Sequence, residues 1–178
     1  MALARCYLLA CCVLAVSACA TAGNWYAQQV EQGTALEVPY VRQASRADCG
    51  MAALASVMAY YQGPAHSQRD LLERYPPASP EGYALGELRD IARAHGLVAF
   101  VVPGELALLR GHLDRGRPLI VPLHDHYVVV AGIDDERGTV IAMDPARGPV
   151  ALELDDFAAG WAEMNHAVLL VGLAAGPE

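Results

Sequence analysis

The chain changes its hydrophobic period part-way along, and that change constrains its fold more than any other feature. "CGMAALASVMAYY" (49–61) is apolar on nearly all sides, as a helix buried in a core must be. "SQRDLLERY" offers Ser67 with Asp70 three residues on, a capping pattern that starts a short helix, and "PPASP" ends it. "GYALGELRDIARAHGL" spaces Leu85, Leu88, Ile91, Ala92 and His95 along one helical face and stops at Gly96. A short apolar run over 97–102 precedes "ELALLRGHLDRG", a further helix closed by Gly116. Then "PLIVPL", "HYVVVAGID", "GTVIAMD", "PVALEL" and "NHAVLLVGL" are β-branched runs separated by turn signals such as "DDERG" and "PARG". Helices first and strands second predict an α+β domain: an N-terminal helical lobe packed on an antiparallel sheet, with a cleft between them for substrate.

Charge narrows the partners. The 12 basic residues are all arginine and face 20 acidic ones, for a net charge of -8. That balance argues against a nucleic-acid surface and against a polybasic membrane patch. With no lysine, Schiff-base and Ser-Lys mechanisms are excluded.

The N-terminus, "MALARCYLLACCVLAVSACA", carries Arg5 and then an apolar stretch too short to span a bilayer stably, which is the pattern of a signal peptide. Its end, "VSAC", resembles the lipoprotein signal box, in which the cysteine becomes the lipidated first residue. Residues 1–18 are therefore expected to be a signal, and Cys19 the lipidated residue in a tether over 19–36. The folded domain is expected over 37–175. Cleavage after "ACA" is the competing outcome. Ala20, rather than an acidic residue, fits an envelope location on the outer membrane facing the periplasm.

This processing leaves Cys49 alone, since Cys6, Cys11 and Cys12 depart with the signal. A solitary thiol in an oxidising compartment has no disulfide to make. It is either a small buried apolar residue or a nucleophile. Cys49 stands at a helix start, where free N–H groups and the positive end of the dipole favour a thiolate. Gly50 beside it leaves room for a substrate backbone, or serves the chain's own conformation. Gln43, six residues upstream, could pair its amide with the Cys49 N–H around a developing oxyanion. Asp48 should face away, because an inward carboxylate would raise the thiol pKa.

Among the histidines, His66, His95 and His112 sit at helix ends. His124, His126 and His166 are expected at strand starts facing the cleft. An antiparallel pairing joined at "DDERG" sets the start of "HYVVVAGID" beside the end of "GTVIAMD", making His126 and Asp144 neighbours. His166 has an orienting partner only upstream, in Asn165 or Asp155. His124 and His126 at i, i+2 could ligate a metal, but with no third ligand evident, no metal or other cofactor is expected.

Taken together, "VPYVRQASRADCGMAALASVMAYYQG", "LGELRDIARAHGL", "HYVVVAGID" and "VIAMDP" resemble the bacteriocin-processing, double-glycine cysteine peptidases over about 37–160. The resemblance implies a papain-like fold, Cys49 as nucleophile, His126 as general base, Asp144 as its orienter and Gln43 as oxyanion donor. It implies a polypeptide substrate, cut after Gly-Gly in the better-known members, and a link to a secretion or transport system. Those members are domains of ATP-driven exporters, whereas this sequence shows no GxxxxGK[ST] loop and carries an export-type N-terminus instead. A non-catalytic peptide-binding module, or an acyltransferase or transglutaminase-like enzyme with the same Cys, His, Asp order, are the alternatives.

Overall fold

A computed structural model describes residues 25–174; the signal-type segment and Cys19 lie outside them. Six strands form one antiparallel sheet: β1 (Leu97–Pro103), β2 (Leu119–Leu123), β3 (His126–Asp134), β4 (Thr139–Asp144), β5 (Gly148–Glu153) and β6 (Ala167–Leu173), in the order β1-β6-β2-β3-β4-β5. The helices are α1 (25–31), α2 (Cys49–Gln62), α3 (Gln68–Arg74), α4 (Leu85–Ala94), α5 (Leu106–Leu113) and α6 (Leu154–Glu163), with a 3-10 turn at Arg46–Asp48 before α2.

The all-round apolar pattern of α2 has the expected consequence. Every residue from Cys49 to Met58 is buried. Met51, Leu54, Val57 and Met58 pack with Leu88 and Ile91 of α4 onto Ile120, Val129, Ala131, Met143 and Leu169 of the sheet. One buried hydroxyl is accommodated: Ser56 Oγ donates to the Ala52 carbonyl (3.1 Å) and accepts from the Val41 N–H (3.2 Å). Ser67 caps α3 as its spacing predicts, accepting from the Asp70 N–H at 3.2 Å.

The sheet is covered on its other face as well. Leu109 of α5 with Phe157 and Trp161 of α6 packs on Leu119, Val121, Val130, Val140 and Val168. Helix α6 is an element that the strand-only reading of the second half passes over. Its two-sided cover explains why β4 is buried at all six positions and reads as a continuous run rather than an alternation.

Two local expectations need correction. The tether over 19–36 is not free from residue 25 onward: Tyr26 Oη donates to Leu36 O (2.5 Å) and accepts from the Val38 N–H (3.1 Å). The Leu36 N–H in turn donates to Ala131 O (2.8 Å), and Ala35 bridges to Gly132. His124 and His166 do not open strands; they stand in the turns before β3 and β6 with φ of 52° and 53°. A side chain in the left-handed region leaves the sheet's alternation, so His124 and His126 do not share a strand face.

The crossing of β3 by residues 34–36 depends on one glycine. The register of β3 on β4 shifts between Val130 and Gly132, and a Cβ at Gly132 would stand 2.1 Å from the Thr34 carbonyl. Gly132→Ala should therefore displace the crossing segment. Urea denaturation should show a loss of roughly 1–3 kcal/mol, the usual cost of forcing atoms into filled space, and the Leu36 amide should lose its hydrogen-exchange protection.

Candidate active site

Helix α2 starts at Cys49, so its first-turn N–H groups and dipole act on the sulfur. The residue is only 4% exposed. Gly50 has a third explanation beyond those its sequence suggests. A Cβ there would come within 3.1 Å of both Leu88 and the Tyr127 ring, so the glycine is the seat on which Tyr127 packs. Tyr127 is fixed at its far end by donating from Oη to Tyr83 O (2.8 Å).

His126 begins β3 and Asp144 ends β4, and the antiparallel register brings them together: His126 Nε2 lies 2.8 Å from Asp144 Oδ1. Asp144 is buried at 1% side-chain exposure, yet it is fully partnered. Its Oδ1 also accepts from the Ala146 N–H (2.8 Å), and its Oδ2 accepts from Arg147 Nε (2.6 Å). Burial alone would raise this carboxyl; the hydrogen bonds from His126, Ala146 and Arg147 outweigh it and hold the group well below the usual carboxylate range.

With Nε2 committed to Asp144, Nδ1 is the imidazole nitrogen left for Cys49, and the thiol and the imidazole each shift the other's titration. The bond to Asp144, then the bond to Cys49, lift His126 to about 9 against the opposing effect of burial. For Cys49, burial pushes the thiol up. The His126 hydrogen bond, the N–H groups of Tyr127 and Gly50 and the imidazolium charge together bring it below the ordinary thiol value. The pair therefore favours thiolate and imidazolium.

Burial, with the charge of Asp48 adding to it, lifts the Tyr83 phenol to about 12. Gln43 arrives only in part. Its backbone N–H donates to Pro145 O (3.0 Å), tying it to the residue after Asp144. Its side-chain Nε2, however, donates to Ser45 O (3.0 Å), while Oε1 is buried with no partner. Arg46, in the turn leading into α2, pairs with Asp125 beside His126, and both are exposed.

The remaining histidines are engaged elsewhere. His124 Nδ1 meets Glu163 at 2.6 Å, and the His166 ring sits edge-on to Trp161 at 5.1 Å. His66 and His95 pack against each other at 4.4 Å. No group of three potential ligands is arranged around a metal among the described residues. Sequence reasoning passed over two residues here. Arg147 carried a signal in "DPAR", where a side chain three residues after an aspartate can return to it. Tyr127 had none, since an aromatic in a β-run ordinarily reads as core.

The profile of the Peptidase C39 family matches residues 37–171. The chain belongs to that family. This C39 chain is a cysteine peptidase with the family's papain-like fold, a mixed arrangement of helices on an antiparallel sheet. No curated protein sequence matches it significantly. Among solved structures it is similar to a double-glycine motif protease from an AMS/PCAT transporter in complex with its leader peptide, at 24% identity, TM-score 0.66, with 79% of this chain and 94% of that one covered. It is also similar to the peptidase domain of Streptococcus ComA, a bifunctional ABC transporter of a quorum-sensing pathway, at 22% identity, TM-score 0.65 and coverage of 79% and 99%. A C39-like peptidase from Bacillus anthracis matches at 16% identity, TM-score 0.65 and coverage of 80% and 98%.

A pH profile checks the electrostatics. Because His126 is raised, the stability its imidazolium lends is complete below about 6.5, the unfolded value, and is lost as pH rises through about 9. Iodoacetamide should thus alkylate Cys49 at a pH below that of an ordinary thiol. Asp144→Asn should lower the His126 pKa and move the alkylation midpoint up; Arg147→Gln, which removes a cation from beside that carboxylate, should not lower it. NMR titration of His126 reads both directly, and an unmoved pKa in Asp144→Asn would contradict the assignment.

Proposed function

We propose that this C39 peptidase cuts an exported or envelope polypeptide by acyl transfer through Cys49, His126 and Asp144, from a lipid anchor at Cys19. The observation that carries the reading is the imidazole of His126, bonded at 2.8 Å to buried Asp144 and electrostatically coupled to the helix-start thiol of Cys49. In this mechanism the Cys49 thiolate attacks the scissile carbonyl and forms a carbon–sulfur bond. The oxyanion is held by the Cys49 N–H and by the Gln43 amide, which gives up its bond to the Ser45 carbonyl to do so. The His126 imidazolium protonates the leaving amine as the C–N bond breaks. Now neutral, it takes a proton from the water that hydrolyses the thioester. Asp144 and Arg147 keep the ring in place throughout.

For substrate, the double-glycine motif protease that this chain resembles was captured with a leader peptide. A Gly-Gly leader released from a secretion or transport system is accordingly the substrate class we assign first. The lipoprotein-type "VSAC" supports a membrane-tethered peptidase at the outer membrane, facing the periplasm.

Cys49→Ala should abolish cleavage of a Gly-Gly leader peptide followed by mass spectrometry. Gln43→Ala should lower kcat by about 10²–10³, as removal of an oxyanion donor does. Transfer of the acyl group to an added amine in place of hydrolysis would overturn the peptidase role. Cys19→Ser should end incorporation of labelled palmitate; retention of the label would refute the anchor.

A further inference from the structure

The overall charge of -8 conceals a face of the opposite character. β1 is an edge strand, paired on one side only with β6. Val98, Phe100 and Val101 are exposed there, with Phe100 at 52% and the neighbouring Leu173 at 61%. Beside them is a cavity of about 370 Å³ whose apolar floor is Val98, Phe100, Leu170 and Leu173. Gly172, opposite Val98 in the register, leaves that floor open, since a Cβ there would touch nothing within 4 Å.

The polar rim is cationic. His112, Arg115 and Arg117 line the cavity, and none of its lining residues is acidic. Arg115 and Arg117 are exposed, form no ion pair among the described residues, and after burial are the charges that lower His112. Arg93 adds a further charge 5.3 Å over the Phe100 ring. Asp114, the nearest carboxylate in sequence, lines the adjacent cavity with Arg110 instead.

We propose that this face, the β1 edge with Arg93, Arg115 and Arg117, docks the domain on the anionic headgroup layer of a phospholipid bilayer. Two observations favour a bilayer over another polypeptide strand. Successive strand residues point to opposite faces, so exposed Phe100 and exposed Val101 put apolar atoms on both sides of the edge, as a wedge entering an interface does. The edge is also partly closed to a new strand, because Arg93 Nε already donates to the Ala99 carbonyl at 2.9 Å. Arginine beside exposed apolar residues suits the junction between headgroups and acyl chains. The docking stands on this face alone and does not depend on the Cys19 anchor or on the peptidase mechanism.

Hydrogen–deuterium exchange of the full chain with vesicles tests it. In phosphatidylglycerol-containing vesicles, 97–103 and 114–118 should gain at least threefold protection over the same chain with pure phosphatidylcholine vesicles. Raising the salt to 1 M, where the screening length is about 3 Å, should remove the gain. Arg115→Gln with Arg117→Gln should remove it too, and Phe100→Ser, which leaves the arginines in place, should weaken it. Peptide cleavage in solution by each variant should equal wild type, showing an intact fold. Equal protection in both vesicle types would overturn the proposal. So would protection that appears without vesicles and rises with protein concentration, which would mean self-association at the β1 edge.

Discussion

The register of β3 on β4 is the constraint on which the site depends. His126 and Asp144 are on different strands, and their 2.8 Å bond exists only because the start of one strand meets the end of the next. A slip of one residue would turn the His126 side chain to the opposite face of the sheet. Loss of that bond would reach the sulfur at once, since the imidazole that Asp144 charges is the main group opposing the effect of burial on Cys49. The irregularity at Val130/Gly132 belongs to the same problem. It admits the crossing segment at 34–36 while the strand ends stay in step.

Much of this was legible in the residues. The period change placed helices before strands, and the single "DDERG" connection was enough to pair His126 with Asp144, because a hairpin's ends are fixed by its turn. What stayed hidden has physical causes. Helix α6 follows directly on β5, so its first apolar residue, Leu154, reads as the end of the strand run "PVALEL" and its i, i+3, i+7 spacing with Phe157 and Trp161 is masked at the start. His124 looked like a strand residue because the local sequence does not reveal a left-handed backbone. The packing of residues 25–36 was invisible from that segment, whose own pattern is irregular. Its trace lay about a hundred residues away, in a glycine inside a β-branched run.

Net charge hides the local distribution of charge. An acidic total argues against anionic partners only when the basic residues are spread evenly. Among the described residues six arginines are spent on carboxylates, including Arg137 on Asp134, Arg110 on Asp135 and Arg147 on Asp144. Of those left over, Arg115 and Arg117 line the cavity beside β1 and Arg93 lies over Phe100, whereas Arg42 and Arg74 lie elsewhere. Position relative to a partner, rather than the sum, decides what a charge does.

The crossing segment also has a mechanical meaning. Any force on a chain held by its N-terminus enters the domain through residues 26–38, where the Tyr26 hydroxyl closes a loop on Leu36 and Val38 and the Leu36 N–H is hooked to Ala131. That hook lies toward the far end of β3 from His126. Tension would be taken up first by a sacrificial strap, which can yield and re-form while the thiolate and imidazolium stay aligned.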